Sequence, residues 1–158
     1  MKISVLSKSE TSDLVDRMRA RWPAGSVPKV KTFKVYEVDE TRRLLVSDEI
    51  TCAQVKDDII PFLGGKPETL AQFPSVKVDM GAVKFVCNGA KVLRPGIVEL
   101  GSFKKGDIVT VQDQTHGKML AIGIALEDSE AAQAMQKGYV VDNLHYISDK
   151  IWQAYKEI

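Results

Sequence analysis

The reading of residues 77–101, KVDMGAVKFVCNGAKVLRPGIVELG, decides the fold of this chain. Between Met80 and Val98 there is no acidic residue, so Lys84, Lys91 and Arg94 stand without counter-charge in the sequence. Gly81, Gly89 and Gly96, the last preceded by Pro95, punctuate the same run. Glycine accepts backbone angles and close approaches that a side chain blocks. Uncompensated positive charge beside glycine turns suits a surface that meets a phosphate backbone at short range.

Around this run the pattern is one of short strands. Val76 and Val78 predict a strand, Ala82 to Cys87 a short helical turn ended by Gly89, and Ile97 to Leu100 a further strand. Downstream, Gly106-Asp107 turns into a strand over Ile108, Val109 and Val111. Lys118 to Leu126 reads as a long apolar strand in which Gly123 marks a bulge or close packing point. Ser129 to Gln136 predicts a small helix, Tyr139 to Val141 and His145 to Ile147 two last strands, and Asp149 to Glu157 a terminal helix with Ile151, Trp152 and Tyr155 turned inward. Short strands at close spacing with glycine turns predict a small closed barrel, since closure removes exposed edges.

Upstream the texture changes at Pro74-Ser75. Met1 to Leu6 alternates like a strand, and Ser7 with Glu10 spells a capping box for a helix reaching Trp22. Leu14 and Met18, flanked by Val15 and Trp22, give that helix its apolar stripe. Lys31–Val38 and Arg43–Val46 predict a hairpin about Asp39-Glu40-Thr41. Ile50 to Leu63 reads as a helix closed by Pro61, and Pro67 to Phe73 as a second short one. The expected organisation is an α+β domain over residues 1–74 and a mostly β barrel with short helices over residues 75–158. From Arg17 to Lys34 six basic residues and no acidic one occur, so Lys29, Lys31 and Lys34 form a second candidate phosphate-facing patch beside the plain alternative of a solvated face.

Composition narrows the function classes. A hydrophobic share of 44% and a charged share of 27% are those of an ordinary globular protein, and the net charge of +1 points to no partner by itself. Cys52 and Cys87 form neither a disulfide framework nor a close metal pair. The opening MKISVLSKSE is too short in apolar residues for a signal peptide, and no run approaches a membrane span, so a cytoplasmic location is expected. Phe62-Leu63-Gly64-Gly65-Lys66-Pro67 fails as a phosphate loop because Ile60 and Pro67 replace the required glycine and hydroxyl residue. No serine sits in a nucleophile elbow, and His116, His145, Cys52 and Cys87 lie too far apart in sequence to suggest zinc. Neither catalysis nor a cofactor is called for.

The strings VDMGAVKFV at 78–86, NGAK at 88–91, RPG at 94–96, FKKGD at 103–107, AIGIA at 121–125 and KG at 137–138 resemble a PUA domain. The ending DNLHY at 142–146, with Asp149 and Trp152 following, is similar to that of the malignant T-cell amplified sequence family, in which a pre-PUA domain precedes the PUA domain. The resemblance implies a PUA-type pseudo-barrel that binds RNA, with tRNA or ribosomal RNA as the partner and the small ribosomal subunit nearby. It implies an RNA face built from Gly81, Ala82, Lys84, Asn88, Gly89, Arg94, Pro95, Gly96, Gly138 and Tyr139, to which the charge pattern adds Lys91. On this reading Lys84, Lys91 and Arg94 contact phosphates, Asn88 reads a base edge, and the acceptor end of tRNA is the expected target. Alternatives are an accessory subunit that delivers RNA to a modification enzyme, and a protein adaptor in which Trp152 and Tyr155 face a partner.

Overall fold

The structure, a computed structural model, describes all 158 residues, in two units: Met1–Gln72 with Lys150–Ile158, and Phe73–Asp149. In the front unit, β1 (Lys2–Val5) precedes α1 (Lys8–Arg21), which starts where Ser7 accepts the Glu10 N–H and Glu10 returns its carboxylate to the Ser7 N–H. That reciprocal cap satisfies donors the first helical turn leaves without a partner. Strands β2 (Lys34–Glu37), β3 (Arg42–Val46), β4 (Thr51–Val55) and β5 (Asp58–Pro61) extend β1 into an antiparallel five-stranded sheet in sequence order. A short helix, α2 (Pro67–Leu70), follows.

Two expectations fail in this unit. The predicted helix over 50–63 is instead the β4–β5 hairpin. Thr51, Val55, Ile59 and Ile60 are β-branched, which favours strands. Cys52 and Ala53 are both buried, as are Ile59 and Ile60. Neighbouring strand residues point to opposite faces, so both faces are covered and the alternation that marks a strand disappears. Its two-residue turn holds Lys56 at φ 53 rather than a glycine, so the turn is not announced either. The second failure concerns the terminal helix, α5 (Lys150–Lys156), expected within the rear domain. It packs against β3 in the front unit, with Trp152 and Tyr155 tilted against Phe62 at ring-centroid distances of 5.9 and 4.5 Å. Of the three residues expected to turn inward, Ile151 is buried, Trp152 is half-buried and Tyr155 is 40% exposed.

The rear unit is one mixed sheet. Its strands are β6 (Ser75–Val78), β7 (Val92–Leu93), β8 (Ile97–Leu100), β9 (Ile108–Asp113), β10 (Met119–Ala125) and β11 (Tyr139–Tyr146), in the spatial order β7-β11-β10-β9-β6-β8. The segment expected as two strands, 139–141 and 145–147, is the single strand β11, irregular where its pairing to β10 shifts register between Ile122 and Gly123. Chain connectivity dictates the shape. The outermost strands, β7 and β8, are joined by the three-residue 3-10 turn Arg94–Gly96, a link that spans at most about 14 Å. Edges of a flat six-stranded sheet would lie about 24 Å apart. The sheet must therefore roll until its edges nearly meet, around a core that includes Val76, Val78, Val109, Val111, Ala121 and Val140. Helices α3 (Met80–Val86) and α4 (Ser129–Ala134) lie between strands.

Gly123 permits the closest approach in this roll. A Cβ there would stand 2.0 Å from the Asp142 carbonyl oxygen on β11, so no side chain fits without parting the strands. No helix is long and apolar enough to cross a membrane.

Candidate nucleic-acid interface

The residues singled out in 77–101 surround one joint of the barrel. Asp79 caps α3 by accepting the Ala82 N–H, and its own N–H donates to Gly96 O, which ties the helix start to the closing turn. Along α3, Ala82, Val83, Val86 and Cys87 face the core at positions i, i+1, i+4 and i+5. Lys84 and Phe85 consequently face out, and Phe85 is 58% exposed. Gly89 ends the helix at φ +90. A Cβ there would come within 2.9 Å of the Tyr146 ring, so the glycine meets both a conformational and a packing demand.

Between α3, β7, the closing turn and the start of β11 lies an open groove of about 690 Å³. It gathers Gly81, Ala82, Lys91, Pro95, Gly96 and Tyr139 from the expected set. Its floor and walls also include Phe85, Val92 and Leu93, which the sequence reading left out. Leu93 is 48% exposed and Tyr139 53%, so the groove is apolar and open. The missed signal was local: in an acid-free stretch, Phe85 falls one position off the inward face of its own helix. The ammonium of Lys84 stands 5.1 Å from the Phe85 ring centroid, and that of Lys91 stands 5.5 Å from the Tyr139 centroid. Each exposed ring therefore carries a cation within cation–π distance. Asp79 is the one carboxylate among the lining residues, and its charge is held at the N-terminus of α3.

Arg94 behaves differently from the two lysines. Its Nε–H donates to Ala132 O at 2.7 Å and its Nη1–H to Ile97 O at 3.0 Å, while its backbone N–H donates to Gly138 O. The guanidinium thus ties the closing turn to α4 and to β8. Asn88 is exposed at the end of α3 and does not line the groove, and Gly138 serves through its carbonyl. Lys29, Lys31 and Lys34 are exposed in the front unit, where the Lys34 ammonium stands 5.5 Å from the Tyr36 ring. The arginines of α1 are partly engaged there: Arg21 pairs with Asp58, and Arg17 donates to Asp57 O.

No three His, Cys, Asp or Glu side chains gather closely enough to hold a metal ion. His145 is fully buried and bonded through Nδ1 to Asp149, whose carboxylate also accepts the Tyr146 N–H. Burial pushes both cysteine thiols up from their ordinary range, most strongly at the fully enclosed Cys52. Because the thiolate is the reactive form, iodoacetamide at neutral pH is expected to leave Cys52 unmodified in the native protein and to modify it after denaturation, as mass spectrometry will show.

A six-stranded sheet rolled up by its own edge-joining turn, with an open groove at that turn, is the architecture of a PUA domain, and residues 74–147 match the PUA domain family. An uncharacterised protein of Methanocaldococcus jannaschii is 37% identical over 127 residues, covering 80% of this chain and 78% of that protein. Translation machinery-associated protein 20 of Saccharomyces cerevisiae is 28% identical over 134 residues, covering 80% and 74%. The crystal structure of a hypothetical protein from Pyrococcus horikoshii superposes with a TM-score of 0.78 at 29% identity, covering 97% of this chain and 99% of that one. The chain belongs to the PUA-domain family that includes the malignant T-cell-amplified sequence proteins and translation machinery-associated protein 20.

Proposed function

We propose that the rear unit binds single-stranded RNA across this groove, taking the acceptor end of tRNA or an exposed end of ribosomal RNA in the service of translation, without chemistry of its own. One observation carries the reading: Phe85 and Tyr139 are exposed, each with the ammonium of a lysine from the acid-free stretch beside its ring. An unstacked base gains from an aromatic face, and its phosphate from the neighbouring cation. Double-stranded RNA offers phosphates but no free base face, because its bases are stacked and its major groove is too narrow for side chains. The relatives' association with the translation machinery supports a ribosomal or tRNA target over delivery to a modification enzyme.

Fluorescence anisotropy with an RNA hairpin carrying a four-nucleotide 3′ overhang, set against the same hairpin cut blunt, tests this. The overhang is expected to bind at least tenfold more tightly. Equal affinity for both would remove the reading. Each of Lys84→Ala and Lys91→Ala is expected to flatten the plot of log affinity against log salt by about 0.7, the single-strand contribution of one phosphate contact.

A further inference from the structure

The front sheet has two edge strands, and they are built differently: at β5 the Ile59 carbonyl accepts the Trp22 indole N–H. Edge strand β5 ends in Pro61, which has no N–H, and it buries Ile59 and Ile60. These are ordinary means of blunting an edge. Edge strand β1 is exposed at all four residues, with Ile3 at 52% and Val5 at 66%. Its register with β2 sets Lys2 against Glu37, Ile3 against Tyr36, Ser4 against Val35 and Val5 against Lys34. In the same register Leu6 N–H donates to Phe33 O. Antiparallel pairs alternate between bonded and non-bonded, so Ser4 and Lys2 carry the ladder to β2. The N–H and C=O groups of Ile3 and Val5 then point away from the sheet. The two residues with exposed apolar side chains are therefore also the two with free backbone groups.

We infer that β1 is a docking edge on which an extended, acidic–apolar segment of a partner protein adds a sixth strand to the front sheet. The backbone of Ile3 and Val5 supplies the ladder, and their side chains take alternate apolar residues of the incoming strand. Charge sets the remaining positions. Residues 1–8 carry Lys2 and Lys8 and no acidic residue. Lys34 lies on the same face as Ile3 and Val5, next to Val5. The ion pairs of the front unit, Arg21–Asp58, Arg42–Asp39 and Lys150–Asp39, involve none of these three lysines. A carboxylate facing Lys2 from the added strand gains a favourable cross-strand pair. Glu37 lies behind Lys2 on β2, and Asp48 and Glu49 line the hollow beyond Val5, where Glu49 accepts the Lys31 N–H. The acidic preference accordingly applies at the Lys2 end. Nucleic acid has no use for a backbone ladder, which favours polypeptide here and separates this surface from the groove of the rear unit.

A phage-displayed library of nine-residue peptides, selected on the full chain and re-tested on Val5→Pro, decides the matter. Proline at position 5 deletes an outward N–H and leaves the ladder to β2 intact. The expected result is enrichment of peptides that alternate apolar residues with Asp or Glu, bind Val5→Pro at least tenfold more weakly, and slow hydrogen exchange at the Ile3 and Val5 amides. If Val5→Pro does not fold, Val5→Glu takes its place, since a carboxylate on the edge repels the same peptides. The inference is overturned by a selection yielding no Val5-dependent binder, or by enrichment of basic peptides. It is equally overturned if tRNA slows those two amides, or if the chain self-associates through them. RNA binding by Phe85 and Tyr139 is measured separately and is unaffected by either outcome.

Discussion

Arg94→Ala is expected to lower the unfolding free energy by about 3 kcal/mol, read as a shift of the urea midpoint at constant slope. Each of the bonds to Ala132 O and Ile97 O contributes about 1.5 kcal/mol, the lower figure for a charged donor, because the side chain is half-buried and partly wetted. Removing the guanidinium leaves the carbonyl of a fully buried alanine without this donor. It also unfastens the turn that brings β7 round to β8. Arg94→Lys should recover less than half, because one ammonium does not reproduce the fork that reaches both oxygens. At a temperature where Arg94→Ala remains folded, its RNA affinity and salt slope should match the wild type. A slope flatter by about 0.7 would show that the guanidinium also meets a phosphate, as the sequence pattern suggests.

Phe85→Ala combined with Tyr139→Ala is expected to weaken binding of the overhang RNA by about 30-fold or more, since stacking of one base on an aromatic ring is worth about 1–3 kcal/mol. Neither substitution removes a charge, so the salt dependence should keep its slope. That separates it from the Lys84→Ala and Lys91→Ala variants, which should flatten the slope. Both rings are more than half exposed, so the melting temperature should hold or rise slightly. Unchanged affinity in a protein that still melts cooperatively would place the RNA elsewhere.

The sequence was informative where local chemistry dictates backbone geometry. The capping box at Ser7 and Glu10 starts α1, and most of the glycine-punctuated strands after Pro74 are present with small changes in their ends, although the two expected over 139–147 are one strand and the short β7 was not expected. It misled where tertiary coverage overrides periodicity, as at 50–63, where two covered faces and a left-handed Lys56 hide a hairpin. At the groove, residue type was legible and orientation was not. Arg94 and Lys84 look alike as positive charges, yet two backbone carbonyls, one distant in sequence and one folded back by the turn, engage the first. The exposure of Phe85 becomes visible only once the helix is placed and Val86 takes the inward position. The destination of the terminal helix depends on long-range packing that no local pattern announces.

That destination bears on how the protein comes into being. The front unit is discontinuous: its first 72 residues leave the ribosome long before Lys150–Ile158, and the whole rear unit is made in between. The front unit is therefore completed only when its last segment joins it, after the sequence of the barrel has been made. Until α5 arrives, Phe62 lacks the two aromatic rings that cover it in the finished molecule. A fragment ending at Asp149 should accordingly present a protease-sensitive front half and a resistant barrel.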